Sequence, residues 1–317
     1  MGKASRDKRE ADRRQKIAAQ RAAARRAQAR RRVLLAVGSV MAVLAIVITF
    51  VVVKVESRPG TAPVASNGPT GASLASLVRD VTTIPAGTLD RVGAGQISRS
   101  SIGTVNSQGG GYLAHVSGPL LTSGGKPEVL YVGAEYCPFC AAQRWATIVA
   151  LSRFGTFSGL STVHSSTTDT PSDIPSWTFY GSKYTSKYLT FVPVEETKNY
   201  RTGNSASLNV GYVPLQNPTS AEQELIGKYD GAAGYIPFLD IGNSYVQVGD
   251  LPPYGPQLLQ GLSWGQIASA MRDPSSEIAQ CVDASANYLT AAILKLTGNS
   301  PVALCTPAIR QLETQLG

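Results

Sequence analysis

Twenty-one consecutive residues, Val33 to Val53 (VLLAVGSVMAVLAIVITFVVV), carry no charge. In a helix rising about 1.5 Å per residue they reach about 30 Å, the thickness of a bilayer's hydrocarbon core. A cleaved signal peptide has an apolar stretch of only about 7–15 residues behind a short charged leader. Here thirty-two residues come first, and Lys54, Val55 and Glu56 follow with no small-x-small site close by. The run is therefore expected to be a single transmembrane helix. Arg25, Arg26, Arg30, Arg31 and Arg32 stand just before it, and only Lys54 and Arg58 just after. Basic flanks stay in the cytoplasm. The reading is a single-pass cell-membrane protein, N-terminus inside and C-terminal domain extracytoplasmic.

The formal net charge of +8 suggests a nucleic-acid partner, but the charge is local. Residues 1–32 hold thirteen Lys and Arg against three acids, leaving sixteen basic and eighteen acidic residues beyond them. The folded part is close to neutral, so no nucleic-acid partner is expected. The expected organisation is a basic cytoplasmic tail over 1–32, the transmembrane helix over 33–53, a flexible linker over 54–73 and an extracytoplasmic domain over 74–317. The tail reads as a topology signal, with attraction to anionic headgroups as the alternative. The linker is Pro-, Gly- and Ser-rich without apolar periodicity.

In the last part, Leu74 to Val81 predicts a short helix, and Pro85 to Gly111 an irregular stretch, with convincing folded structure from about Tyr112. Glu128 to Ala134 (EVLYVGA) is an apolar run of the kind a buried parallel strand makes. Cys137 to Phe154 predicts a helix, with Trp145, Ile148, Val149 and Leu151 on compatible spacings. Leu160 to His164 and Tyr188 to Val194 predict strands, and Glu222 to Tyr229 a helix. Ile236 to Val248 predicts two strands about a Gly-Asn turn. Ser263 to Arg272 and Ser275 to Thr297 are expected to be helical. Such alternation argues for an α/β domain.

All four cysteines, Cys137, Cys140, Cys281 and Cys305, follow the apolar run, on the side where disulfides persist. Cys137 and Cys140 form Cys-Pro-Phe-Cys at the expected strand-to-helix junction. A thiol at a helix N-terminus meets free backbone N–H groups and the positive end of the helix dipole, which favours its thiolate. Pro138 suits the first turn, where its missing N–H costs nothing. The expected roles are attacking thiolate for Cys137 and resolving thiol for Cys140. Half a zinc site has the same spacing, but the other ligands on offer are His115, His164, Cys281 and Cys305, and no metal is expected.

The strand EVLYVGAEY, then CPFC and a helix, resembles the thioredoxin superfamily. Ile236-Pro237 before the strand FLDIG resembles that superfamily's cis-proline loop, which implies for Pro237 a place facing the redox pair and aligning substrate. A closer resemblance, over about Leu74 to the C-terminus, is carried by GAEYCPFCAAQRWA, SKYLTFVPVE, GYIPFLDIGNSYV and ANYLTAAILKLTG. These segments are similar to domain of unknown function 929, a family that implies a membrane-anchored, thioredoxin-like domain and no established substrate. Together these imply a thioredoxin-like α/β domain with helical insertions and a C-terminal extension. The chain departs from ordinary thioredoxin in Tyr136 before the pair and in Pro138-Phe139 within it.

Glu135 is the nearest acid in sequence. It reads either as a proton acceptor for Cys140 or as an exposed strand-end carboxylate. Phe139 would tune the potential and pack against partners. With no His or basic residue inside the motif, a moderate oxidant at most is expected. Trp145 and the group Trp177, Phe179 and Tyr180 read as core or interface, and His115 and His164 as structural. Cys281 and Cys305 read as a structural disulfide, worth about 3 kcal/mol in the chain-entropy model, with a second redox pair as the alternative. Two functions stay open: a membrane-tethered thiol–disulfide oxidoreductase acting on exported proteins, or a binding scaffold in which the pair is a permanent disulfide. The first needs no cofactor but needs a redox partner to recycle it. Copper handling would want a His beside the pair, and none is adjacent.

Overall fold

The computed structural model describes residues 68–103, 111–202, 211–230, 234–249 and 254–317, all within the second of the chain's two structural units, Thr61–Gly317. The expected tail, membrane span and most of the linker lie outside these residues. Among the described residues no helix is long and apolar enough to cross a membrane.

Two helices open the described chain, α1 (Gly71–Thr82) and α2 (Ala86–Val92). Helix α1 starts three residues inside the stretch expected as linker. The expectation of irregular chain from Pro85 to Gly111 is corrected by α2, and that of a fold starting near Tyr112 by the burial of Leu77, Val81, Leu89 and Val92 in the main core. Seven residues interrupted by Gly87 are too few to show a helical period, and only their packing stabilises them.

Strands β1 (Gly111–His115), β2 (Thr122–Ser123) and β3 (Lys126–Gly133) follow, then α3 (Pro138–Ser152). Next come β4 (Gly155–Ser158), β5 (Ser161–His164), β6 (Pro175–Thr178), β7 (Lys183–Ser186), β8 (Thr190–Glu195), β9 (Thr197–Arg201) and β10 (Tyr212–Pro214). Helix α4 (Ser220–Asp230) leads to the hairpin β11 (Phe238–Ile241) and β12 (Tyr245–Val248). Helix α5 (Trp264–Met271), a π-helical turn (Ala279–Asp283), α6 (Ala284–Leu296) and α7 (Pro307–Gln315) complete the chain.

The central sheet is mixed, in the order β1–β12–β11–β3. Strand β8 runs parallel to β3 along its other edge, pairing Glu128 with Thr190 through Gly133 with Glu195. Strand β11 is antiparallel to β3, pairing Phe238 with Val132 and Ile241 with Val129. Alternate residues serve opposite faces, as the pleat requires. Val129, Tyr131, Leu239 and Ile241 enter the main core under α3 and α6, while Leu130, Val132, Phe238 and Val246 pack toward Leu225, Ile226 and Tyr229 of α4. Both faces of β3 are covered, which is why it reads as one unbroken apolar run.

Helix α3 is buried at Pro138 and at every residue from Cys140 to Leu151. A helix apolar on all sides belongs inside a protein, and burying a side chain such as Ile148 or Leu151 contributes about 1.5–3 kcal/mol. Trp145 donates from its indole N–H to the Pro175 carbonyl at 2.9 Å and meets Trp177 edge-on at 5.4 Å between ring centroids. Of the aromatic group read as core or interface, Trp177 and Phe179 are buried and Tyr180 is exposed.

Candidate functional site

Strand β3 ends at Gly133, and a tight turn through Ala134, Glu135 and Tyr136 delivers Cys137 to the start of α3. The turn closes with a hydrogen bond from the Cys137 backbone N–H to the Ala134 carbonyl at 3.2 Å. Cys137 is the N-cap of α3, and its sulfur accepts the Cys140 backbone N–H at 3.3 Å. An N-cap side chain usually supplies oxygen to that orphan donor; here a sulfur does so, with Pro138 in the first turn behind it. Cys137 is 6% exposed and Cys140 fully buried. Burial pushes the Cys140 thiol well above its ordinary value, and its hydrogen bond with Cys137 adds to the rise. Phe139 is half-buried between them.

The loop before β11 closes over this pair. The Cys137 thiol points at the Ile236 carbonyl oxygen, 3.8 Å away, and the Ile236–Pro237 peptide bond is cis. Pro237 is buried, and its carbonyl accepts the Gly249 N–H at 3.0 Å. Cys137, Cys140 and Pro237 thus meet where β3, α3 and β11 converge. The hairpin of β9 and β10 forms a wall beside them. Tyr136 stacks on Tyr212 at 4.1 Å, nearly coplanar, and the Arg201 guanidinium lies 4.5 Å from the Tyr212 ring centroid.

Glu135 is not exposed, as one of its two readings held: only 8% of it reaches solvent, and its backbone N–H donates to the Thr197 carbonyl at 2.9 Å. Burial raises its carboxyl, a hydrogen bond with Thr178 opposes the rise, and Glu195, Arg144 and Lys198 also act on it. The charged group that acts on the Cys140 thiol is another. Arg144, one turn beyond Cys140, is fully buried with Glu195. Its Nε donates to Glu195 Oε1 at 2.8 Å, and its Nη2 donates to Glu195 Oε2 at 2.6 Å and to the Ala134 carbonyl at 2.8 Å. Tyr131, buried on β3, presents its ring 5.8 Å from the Arg144 guanidinium carbon. Sequence reasoning looked for a basic residue within the motif and missed this one, although a lone arginine inside an otherwise apolar helix was the available signal.

Cys281 and Cys305 lie elsewhere, and all four cysteines are free thiols in this structure. Cys281 sits in the π-helical turn with its sulfur toward Gln96 Oε1 at 3.9 Å, and Cys305 points at the Asn299 carbonyl at 3.5 Å. His164 pairs with Asp173 at 2.9 Å and meets Trp264 edge-on, and His115 meets Tyr245. Among the described residues no group of three or more His, Cys, Asp or Glu is placed to share a metal ion.

A family model described as a domain of unknown function matches residues 112–295. No curated protein and no solved structure matches the chain. The matched stretch contains Cys137, Cys140, Arg144, Glu195 and Pro237 and is more than half of the 317 residues. The chain therefore belongs to the family "Domain of unknown function (DUF929)".

Proposed function

We propose that this chain is a membrane-tethered thiol–disulfide oxidoreductase of thioredoxin-like fold, acting on exported proteins through Cys137 and Cys140. The observation that carries the proposal is the Cys137 sulfur, capping α3 at 3.3 Å from the Cys140 N–H and facing the Ile236–Pro237 loop. The parallel β3–β8 pair, helix α3 after β3 and the antiparallel β11–β12 hairpin support the thioredoxin-like reading. The apolar run Val33 to Val53 supports the tether, and the arginines before it support the extracytoplasmic placement.

In the reducing direction the Cys137 thiolate attacks one sulfur of a substrate disulfide. A mixed disulfide forms and the other substrate sulfur leaves as a thiolate. Cys140 then gives up its proton and attacks the Cys137 sulfur. The substrate's second thiolate leaves, and the Cys137–Cys140 disulfide remains. Run backwards, the same steps oxidise a substrate dithiol. Pro237 aligns an extended substrate segment beside the pair, and a separate redox partner restores the starting state. Phe139, half-buried between the cysteines, and Tyr235, exposed next to Ile236, offer such a segment apolar contact.

A glutathione redox titration of the full chain in detergent, with free thiols trapped and mapped, tests the proposal. Cys137 and Cys140 are expected to switch together above about −300 mV, the range of exchangeable rather than structural disulfides. If neither responds until the domain unfolds, the pair is a permanent bridge and the scaffold reading replaces the enzyme.

A further inference from the structure

Arg144 occupies a position where a cation is costly. Helix α3 is buried around its whole circumference there, and an ion pair in such a place is often no more stabilising than apolar side chains of similar volume. Its partners fix the guanidinium closely. Glu195 takes Nε and Nη2, and Ala134, the first residue beyond β3, takes Nη2 with its carbonyl. Arg144 Nη1 and the Tyr131 hydroxyl are both buried, and neither has a hydrogen-bond partner among the described residues. The Tyr131 hydroxyl folds up along β3 under Gly133, where a Cβ would collide with it. The phenol thus leans toward the turn that carries Cys137.

We infer that Arg144 is a positioning residue that holds a fixed positive charge one helical turn beneath Cys140, stabilising the resolving thiolate, with Glu195 and the Ala134 carbonyl setting its place. The electrostatics agree. Burial and the Cys137 contact raise the Cys140 thiol, whereas Arg144 and a backbone hydrogen bond from Ala134 lower it. The charge that the Cys-Pro-Phe-Cys motif lacks is thus supplied from below, by a residue outside the motif. This assignment rests on the exchange reading, because it concerns the step in which Cys140 attacks the mixed disulfide.

The test uses the reduced full chain in detergent with Cys281→Ser and Cys305→Ser, mixed rapidly with dithiobis(nitrobenzoate). Cys137 attacks the reagent and releases one coloured thionitrobenzoate. Cys140 then attacks the Cys137 mixed disulfide and releases the second, leaving the Cys137–Cys140 bond. Below its pKa, the resolving rate follows the Cys140 thiolate fraction, tempered by nucleophilicity, so a one-unit rise slows the second phase about threefold. Replacing the pair with Arg144→Met and Glu195→Met is expected to slow the second phase about threefold or more and shift its pH profile upward. Glu195→Gln, which leaves the cation uncompensated, is expected to speed it and shift the profile downward. Arg144→Lys is expected to restore most of the rate. The first phase is expected to change little throughout. A second phase that is indifferent to these changes, or that slows alike in the double variant and Glu195→Gln, overturns the inference while leaving the exchange reading standing. Absence of the first phase in the parent chain overturns the exchange reading itself and this assignment with it.

Discussion

The Cys137 sulfur lies 3.8 Å from the carbonyl oxygen of Ile236, ninety-nine residues further along the chain. Two segments remote in sequence therefore share one small surface, and Cys137 is the half of the pair that reaches it. Cys140 is fully buried behind.

That asymmetry sets the outcome of two single substitutions. Cys140→Ser keeps the attacking sulfur and removes the group that resolves the mixed disulfide, so covalent complexes with exported proteins should accumulate. Cys137→Ser should give none. Non-reducing electrophoresis followed by mass spectrometry of the trapped species reads the difference. Trapping by Cys137→Ser and not by Cys140→Ser would reverse the assigned roles, and equal trapping by both would remove the distinction.

The strand-to-helix junction was legible because two local signals coincide there, an apolar run that ends at Gly133 and a Cys-Pro pair suited to a helix N-terminus. The Ile236-Pro237 loop was found by resemblance rather than by periodicity. Arg144 was hidden by the same property that marks α3 as buried: a helix apolar all round does not say which face meets the neighbouring strands. Glu195 closes an ordinary strand, and nothing local predicts its partner fifty-one residues earlier. The helix expected from Ser275 to Thr297 contains a π-helical turn at Ala279–Asp283, since one inserted residue barely alters an apolar pattern. Strand β9 is polar and β10 only three residues long, so neither carries a period, yet they build the wall beside the cysteines.

The Arg144–Glu195 pair makes a prediction about stability that is separate from redox chemistry. Arg144→Ala strands a buried carboxylate without its counter-ion and should cost about 3–5 kcal/mol. Removing both charges with Arg144→Met and Glu195→Met should cost much less. Chemical denaturation of the three chains measures it. A double variant as unstable as Arg144→Ala would mean that shape, and not charge, dominates at this site.

The membrane reading predicts opposite sides for two positions. With the four native cysteines replaced by serine, a Ser57→Cys chain in intact cells should react with a membrane-impermeant maleimide. A Ser5→Cys chain should react only after the membrane is permeabilised. The physical basis is the uncharged Val33 to Val53 run, with five arginines just before it and only Lys54 and Arg58 just after. Labelling of Ser5→Cys in intact cells would overturn the orientation, and loss of the protein to an alkaline wash would overturn the span.

Asp240, in the middle of β11, predicts how stability depends on pH. Its side chain is fully buried and accepts the Asn243 backbone N–H with one oxygen, while the other has no partner among the described residues. Burial pushes its carboxyl up to about 6, with Glu128 adding to the rise, and Asn243 and Lys228 opposing it. The unfolded carboxyl titrates near about 3.9. Between these values the folded chain binds the proton and the unfolded chain does not. The stabilisation from this group is therefore complete below about pH 4 and is lost as pH rises through about 6. Over that window the parent chain should lose up to about 3 kcal/mol relative to Asp240→Asn, which keeps an acceptor for Asn243 and does not ionise. Denaturation at a series of pH values on both chains decides it, and parallel curves would mean that the carboxyl ionises as readily in the fold as in the open chain.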